Sequence, residues 1–426
     1  MLDINYIREN PNVVKQAVVN KLMDTDIDRL LELDVQIRES VTFIDSLRAE
    51  RNSLSKLIPQ LPEAERDEMV LRVKQVKEQI TWHEEQLLVY RSEFDKIMLT
   101  VPSVPAPEVP IGRSDTDNVE IRKWGEIPRF AFNPKDHLEL VEMLDLVDIP
   151  RAVKFAGSRS YFLKNEGALL EMAICRFVID HLRAKGFTLM TVPLMVRADA
   201  MQGTGYFPIG YEQAYKLTED ELFLVGTSEV SIVSYHQNEV LNVTELPKKY
   251  VGYSTCFRRE AGTYGKDTRG LYRVHQFQKV EQVIFCRADA AEAERIHYEI
   301  LNNTEEILQA LELPYRVALA CTGEIGIGQV RKHEVETWMP SRNGYCETHS
   351  CSTLNDFQAR RSNIKYRDND GTLKYVFTLN NTGIASPRIL IPLLEINQNG
   401  DGSVKIPKVL QPYMNGMTVI VPKRKY

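Results

Sequence analysis

From Ile27 onward the apolar side chains fall on a heptad, at Leu30, Leu33, Ile37, Ile44, Leu47, Leu54 and Ile58, with Ser40 and Arg51 as polar exceptions. That spacing keeps one stripe of a helix apolar and predicts a long helix packed against another. Pro59 and Pro62 then break it. A second run, Met69, Val73, Val76, Ile80, Leu87, Tyr90, Phe94 and Ile97, repeats the spacing, with His83 as a partly exposed seam residue. Two such helices joined by a short turn form an antiparallel hairpin, and roughly 30 residues at 1.5 Å each give an arm of about 45 Å. A compact fold has no need of that length. The arm either reaches a large partner or dimerises, and periodicity alone leaves both open.

Four prolines between Pro102 and Pro110 mark a stiff linker, which places a helical domain at 1–104 and a second domain at 105–426. After about Asp115 short strands alternate with helices, the pattern of an α+β domain. A helix is predicted from Glu166 to Lys185, ended by basic residues and Gly186, and a strand from Phe187 to Val192 before Pro193. No internal repeat interrupts this order.

The segment from Phe257 to Val283 is unusual because its two predicted strands are polar where a core strand should be apolar. On alternating strands Arg258 and Glu260 share one face, and Arg273, Phe277 and Glu281 share one face of the return strand. Arginines that hold phosphate oxygens, a ring that stacks on a base and a carboxylate that accepts from an amine together suit a nucleoside polyphosphate. A solvated hairpin whose charges pair with one another is the alternative.

Composition narrows the field only a little. With 426 residues, 43% hydrophobic and 26% charged, the chain is long enough for two domains of ordinary globular type. A formal net charge of −6 gives no global sign of nucleic-acid binding, so any RNA contact must come from local patches. Acidic residues outnumber basic ones over the whole arm, and only near its tip do Arg48, Arg51, Lys56, Arg66, Arg72, Lys74 and Lys77 give a basic excess. Six cysteines without a C-x-x-C pair suit reduced thiols. No signal segment or 18-residue apolar stretch is present, and the expectation is a cytoplasmic protein without membrane contact.

The Phe-Arg-x-Glu start at Phe257 and the His275-Gln-Phe-x-Lys-Val-Glu281 end resemble motif 2 of class II aminoacyl-tRNA synthetases. Gly203-Thr-Gly205, Thr227-Ser-Glu229, Asp356-Phe-Gln-Ala-Arg-Arg361, the Arg388 segment and Pro407-x-Val-Leu-x-Pro-Tyr-Met414 resemble the seryl-tRNA synthetases of bacterial type. Nearly the whole chain is covered. The resemblance implies an antiparallel helical arm that binds tRNA, followed by an antiparallel catalytic sheet flanked by helices. The helix and strand after Glu166 resemble motif 1, which implies a homodimer. The implied activity joins L-serine to ATP as seryl-adenylate and passes serine to tRNA(Ser), with tRNA(Sec) as a further acceptor.

Residue by residue, the resemblance gives ATP to Arg258, Glu260, Arg273, Phe277, Glu347, Ser350 and Arg388, of which Arg258, Arg388 and Glu347 are implied to be catalytic. Glu347 and Ser350 also match positions that hold Mg²⁺ with the nucleotide. Serine falls to Thr227, Ser228, Glu229, Glu281 and Thr382. By the same resemblance the arm recognises the long variable arm of tRNA(Ser), and Arg48, Arg51 and Lys56 near the tip are the candidate contacts. A regular strand would point Glu347 and Ser350 opposite ways, so a bulge or strand end must lie between them if both reach ATP.

The chain departs from the family pattern at Asn381-Thr382, where Gly-Ser is common, and at His349, where a small residue is usual. His349 therefore bears on the shape of the pocket. Cys346-x-x-His349-x-Cys351 fits no common structural zinc spacing, and no zinc is expected. Gly323-x-x-Gly326-x-Gly328 reads as a turn, not a dinucleotide loop. Two rival functions are a related ligase that loads another acceptor and a catalytically silent RNA-binding homologue.

Overall fold

The computed structural model describes residues 1–262 and 270–423. The chain divides into two compact units, Asp3–Pro102 and Ser103–Tyr426 with Met1–Leu2.

In the first unit, short helices α1 (Ile4–Glu9) and α2 (Pro11–Asn20) precede the long pair α3 (Ile27–Leu57) and α4 (Glu63–Met98). Asp26 starts α3 by accepting from the Arg29 backbone N–H at 2.9 Å, and the Pro59–Pro62 stretch separates the two helices as the sequence requires. Ile44, Leu47, Val76, Ile80 and Leu87 form the buried seam, flanked by Ile37, Val41 and Leu54. Arg29 grips Glu93 across the pair with two bonds of 2.8 and 2.9 Å. The predicted polar seam residue His83 is half-buried and meets Phe43 and Trp82 edge-on, with ring centroids 4.7 and 4.6 Å away.

The second unit is built on one eight-stranded sheet. In chain order its strands are β1 (Val119–Trp124), β2 (Thr188–Thr191), β3 (Lys248–Phe257), β4 (Gln276–Cys286), β5 (Tyr315–Leu319), β6 (Arg331–Met339), β7 (Gly344–Asn355) and β8 (Phe377–Ser386). Across the sheet they run β1-β5-β6-β7-β8-β4-β3-β2, antiparallel except for the parallel pair β2 and β3.

Helices α6 (Asn165–Ala184) and α8 (Ala290–Ala310) cover one face of the sheet. Leu170, Ile174 and Val178 from the first, and Ile296, Ile300 and Ile307 from the second, bury against Val280, Ile284, Val335, Cys351, Leu379 and Ile384. Because strand residues alternate, the partners of these positions face the other way. That opposite face carries α7 (Ser228–Tyr235) and α9 (Phe357–Ser362) and a polar cavity.

A buried helix, α10 (Leu390–Ile396), follows Arg388. Its Glu395 is fully buried and accepts from the backbone of His137, from the His137 ring at 3.0 Å and from the backbone of Ser341. His137 opens α5 (His137–Met143), so this carboxylate ties three segments together behind the sheet. All six cysteines are free thiols, and no helix among the described residues is long and apolar enough to cross a membrane.

Candidate active site

A cavity of about 420 Å³ opens on the sheet face away from α6 and α8. Its wall includes Glu229, Arg258, Glu260, Arg273, Phe277, Glu281, Glu347, Ser350, Thr382 and Arg388, so residues up to 159 positions apart in the chain converge. Thr227 and Ser228 are not among its lining residues. Thr227 instead caps α7, its hydroxyl oxygen accepting from the Glu229 N–H at 3.3 Å, and Ser228 is buried against Gly252, where an added Cβ would lie 2.4 Å from the Ser228 hydroxyl oxygen.

The expectation of continuous strands through the polar hairpin is overturned. β3 ends at Phe257 and β4 starts at Gln276; the Arg258 N–H still donates to the His275 carbonyl at 3.0 Å, but Glu260 and Arg273 lie beyond regular pairing. Glu260 has φ of +54°, a left-handed conformation that strand alternation does not describe. Convergence survives for a different reason. Arg273 reaches back to Glu260, Nη1 to Oε2, at 2.8 Å, while the Arg258 guanidinium sits 5.2 Å from the Phe277 ring centroid. The stretch 263–269 lies outside the described residues.

On β4 the side chains of Phe277, Lys279 and Glu281 do alternate onto the cavity wall. Lys279, a residue the motif reading passed over, is buried and forms an ion pair with Glu281. Glu281 stands directly opposite Thr382 of β8 at an irregularity in the register after Val280.

The bulge that Glu347 and Ser350 demanded is present in β7. Ser350 pairs with Glu334 and His349 with Val335, but the next pair joins Glu347 to Glu336, leaving Thr348 as the extra residue. Glu347 and Ser350 thereby reach the same cavity. The Arg388 guanidinium donates to the Glu347 backbone carbonyl at 3.1 Å and lies 3.5 Å from its carboxylate. Burial opposes charge on Glu347, yet Arg388, then Lys332, Arg258 and Arg273, outweigh it and hold the carboxyl below its ordinary pKa. Arg388 and Arg342 both stack on Tyr272, at 4.3 and 4.1 Å from its ring centroid.

Glu229 has the opposite electrostatics. It is 7% exposed, and burial, reinforced by the Glu281 charge, pushes its pKa up to about 7 even though Gln358 and Asn380 each donate to it at 2.7 Å. Gln358 is itself oriented by Thr378, whose hydroxyl donates to its carbonyl at 2.7 Å. Of the two residues that depart from the family pattern, His349 is among those lining the cavity and Asn381 is not. Asn381 turns to the α8 side, donating to Thr304 at 2.8 Å, and His349 lies opposite Val335 of the core.

Some wall residues were given no role by the sequence. Tyr206, Tyr272, Lys279, Gln329 and Asn380 line the cavity, as do Gly326 and Gly328 from the segment read only as a turn. The glycine spacing was the available clue, since Gly328 packs so closely on Phe357 that an added Cβ would lie 2.5 Å from its ring. The arm candidates lie in the other unit. Arg48 is bound to Asp45 and Glu84 at 3.2 and 2.7 Å, Arg51 to Asn52 at 3.0 Å, and Lys56 is exposed.

Comparison with known proteins agrees with this geometry over the full chain. Residues 1–105 match the seryl-tRNA synthetase N-terminal domain, and residues 212–397 match the tRNA synthetase class II core domain (G, H, P, S and T). The chain is 46% identical to the serine–tRNA ligase of Deinococcus radiodurans, covering 99% of both chains, and 44% identical to that of Dictyoglomus thermophilum, covering 100% of both. The crystal structure of seryl-tRNA synthetase from Pyrococcus horikoshii complexed with ATP superposes with a TM-score of 0.93 at 38% identity, over 100% of each chain. The cytoplasmic serine–tRNA ligase of Naegleria fowleri in complex with AMP gives a TM-score of 0.88 at 29% identity, over 100% of this chain and 99% of that one. With both of its domains matched and its full length shared with these enzymes, the chain belongs to the seryl-tRNA synthetase family.

Proposed function

We propose that the protein activates L-serine with ATP and transfers it to the 3′ end of tRNA(Ser). The observation that carries this reading is a single cavity that holds the phosphate-binding type of side chain, Arg258, Arg273 and Arg388, together with the buried polar set Glu229, Glu281 and Thr382. Full-length similarity to serine–tRNA ligases supports it.

Adenylation is attack of the serine carboxylate on the α-phosphorus of ATP, a step that needs alignment and charge stabilisation and no protein nucleophile. Phe277 and Arg388 would hold the nucleotide by stacking, Glu260 would accept from the adenine amino group, Arg258 would meet the α-phosphate and Arg273 the terminal phosphates. Glu281 and Thr382, opposite one another on adjacent strands, would read the serine hydroxyl and amine beside Glu229. A substrate one hydroxyl smaller would leave these buried groups unpaired, which is how a small pocket rejects it.

Glu347 and Ser350 offer oxygen ligands on one wall, and the Glu347 carboxylate is held ionised by its arginine neighbours, a donor set that suits Mg²⁺. The ion would neutralise phosphate charge when bound with ATP. Thr227 and Ser228 act through position, by starting the helix that carries Glu229.

The arm, residues 1–104, is the tRNA-binding domain in this reading, and residues 105–426 the catalytic one. A second copy of the chain would cover the exposed Phe155, Phe162 and Met172 to make a homodimer. The free cysteines suit the cytoplasm. Serine-dependent exchange of labelled pyrophosphate into ATP, followed by charging of tRNA(Ser), tests the whole reading. A ligase with another acceptor would show the first without the second, and a silent homologue would show neither.

A further inference from the structure

Neighbouring residues of a strand point to opposite faces, yet His349 Nδ1 and Thr348 Oγ1 lie 2.8 Å apart. The bulge at Thr348 allows this, because it breaks the strand alternation between Thr348 and His349. The contact continues into the neighbouring strand. Thr348 Oγ1 is 2.7 Å from Thr337 Oγ1 and 3.2 Å from the Val335 carbonyl, and His349, Thr348 and Thr337 are all buried.

We propose that His349 is a positioning residue for adenylation: through Thr348 it locks the bulge that turns Glu347 into the cavity beside Arg388. The proposal rests on the reading of Glu347 as a nucleotide-binding group. An apolar side chain would fill the same core space without a buried polar ring. Instead the site keeps an imidazole beside the Gly383 backbone. With the proton on Nε2, Nδ1 accepts from the Thr348 hydroxyl, whose oxygen is left to accept from Thr337. The chain of hydroxyls then has one direction and the bulge one register.

Four variants test this in serine-dependent pyrophosphate exchange: His349→Leu, which keeps volume and removes Nδ1, His349→Asn, which restores a polar atom at the same branch, Thr348→Val and Glu347→Gln. His349→Leu and Thr348→Val should each raise KM for ATP about fivefold or more while KM for serine moves less than about twofold. Asparagine should recover at least about half of that loss. In the Glu347→Gln background, His349→Leu should add almost nothing, because the two residues act through one another. Unchanged ATP kinetics in His349→Leu, equal losses for ATP and serine, no rescue by asparagine, or additive losses in the double variant would each overturn the proposal. If the leucine variant does not fold, Thr348→Val and His349→Asn decide the outcome by the same ATP-against-serine split. Normal ATP kinetics in Glu347→Gln would overturn the reading of Glu347 as well, whereas an impaired Glu347→Gln beside normal His349 and Thr348 variants would overturn this inference alone.

Discussion

Arg273 donates to the Glu260 carboxylate at 2.8 Å, so two side chains proposed for different parts of the nucleotide hold one another. Nucleotide must separate them, exchanging one charge-assisted bond for others. Arg273→Ala should raise KM for ATP about tenfold or more, the loss expected for a bond to a charged group. Glu260→Ala should cost less, because it removes the adenine contact but also releases Arg273 toward phosphate. An ATP titration of pyrophosphate exchange measures both, and an unaltered KM in Arg273→Ala contradicts its assignment.

Arg388 combines a stack on Tyr272 with bonds to the Tyr272 and Glu347 carbonyls, at 3.1 Å each. Arg388→Ala should lose at least about 2 to 3 kcal/mol of transition-state stabilisation, roughly 10² in rate. Arg388→Lys should recover little, since an ammonium keeps the charge but not the planar stack. A folded alanine variant with wild-type exchange would remove Arg388 from the mechanism.

The raised Glu229 pKa makes a stability prediction whose sign is opposite to that of most carboxylates. Its folded value is about 7 against an ordinary 4.5, so between these values the folded chain binds the extra proton. Stability from this group is full below about pH 4.5 and is lost as pH rises through 7, by about 3 kcal/mol in all. Glu229→Gln removes the dependence. The Tm of the glutamine variant relative to wild type should therefore climb from pH 5 to pH 8, and a flat difference would show that Glu229 is ionised throughout. Serine activation should suffer in the same variant if the carboxylate meets the substrate amine.

Glu281→Gln should lower kcat/KM for serine far more than it weakens ATP, because the buried carboxylate faces Thr382 in the polar set. Equal losses would move Glu281 to the nucleotide or to the scaffold.

Deleting Asp28 to Met98 with a short bridging linker should leave pyrophosphate exchange largely intact, since no residue assigned to ATP or serine lies there. The cut ends are close, as the Thr25 hydroxyl donates to the Thr100 carbonyl at 2.9 Å. Charging of tRNA(Ser) at subsaturating concentration should fall by orders of magnitude, the cost of losing one of two linked contacts. Reversing Arg48, Arg51 and Lys56 to glutamate should give a milder, salt-sensitive defect. Wild-type charging by the deleted protein would make the arm a structural element.

Local periodicity made much of this architecture legible. The heptad residues Ile37, Ile44, Leu47, Leu54, Val76, Ile80 and Leu87 form the arm seam, and the helix expected over 166–185 is observed as Asn165–Ala184. Alternation also exposed the conflict between Glu347 and Ser350 that the Thr348 bulge resolves. It failed at Glu260, where the backbone turns left-handed beyond the strand and the side chain meets Arg273 through tertiary pairing. Gln358 and Asn380 were invisible for another reason: each matters through a bond to Glu229, more than 100 positions away along the chain. The contact between His349 and Thr348 was hidden because the bulge that permits it has no signature of its own in the sequence.

Glu395 touches neither the cavity nor its ligands, yet it binds the turn that carries Arg342 and belongs to the helix just after Arg388. In a survey that ranks positions by lost growth, it would therefore score beside the reacting residues and be mistaken for one. Heat tells them apart. Damage at Arg388 should persist at every temperature at which the protein is folded, whereas damage at Glu395 should fade on cooling, giving cells that fail when warm and recover when cool.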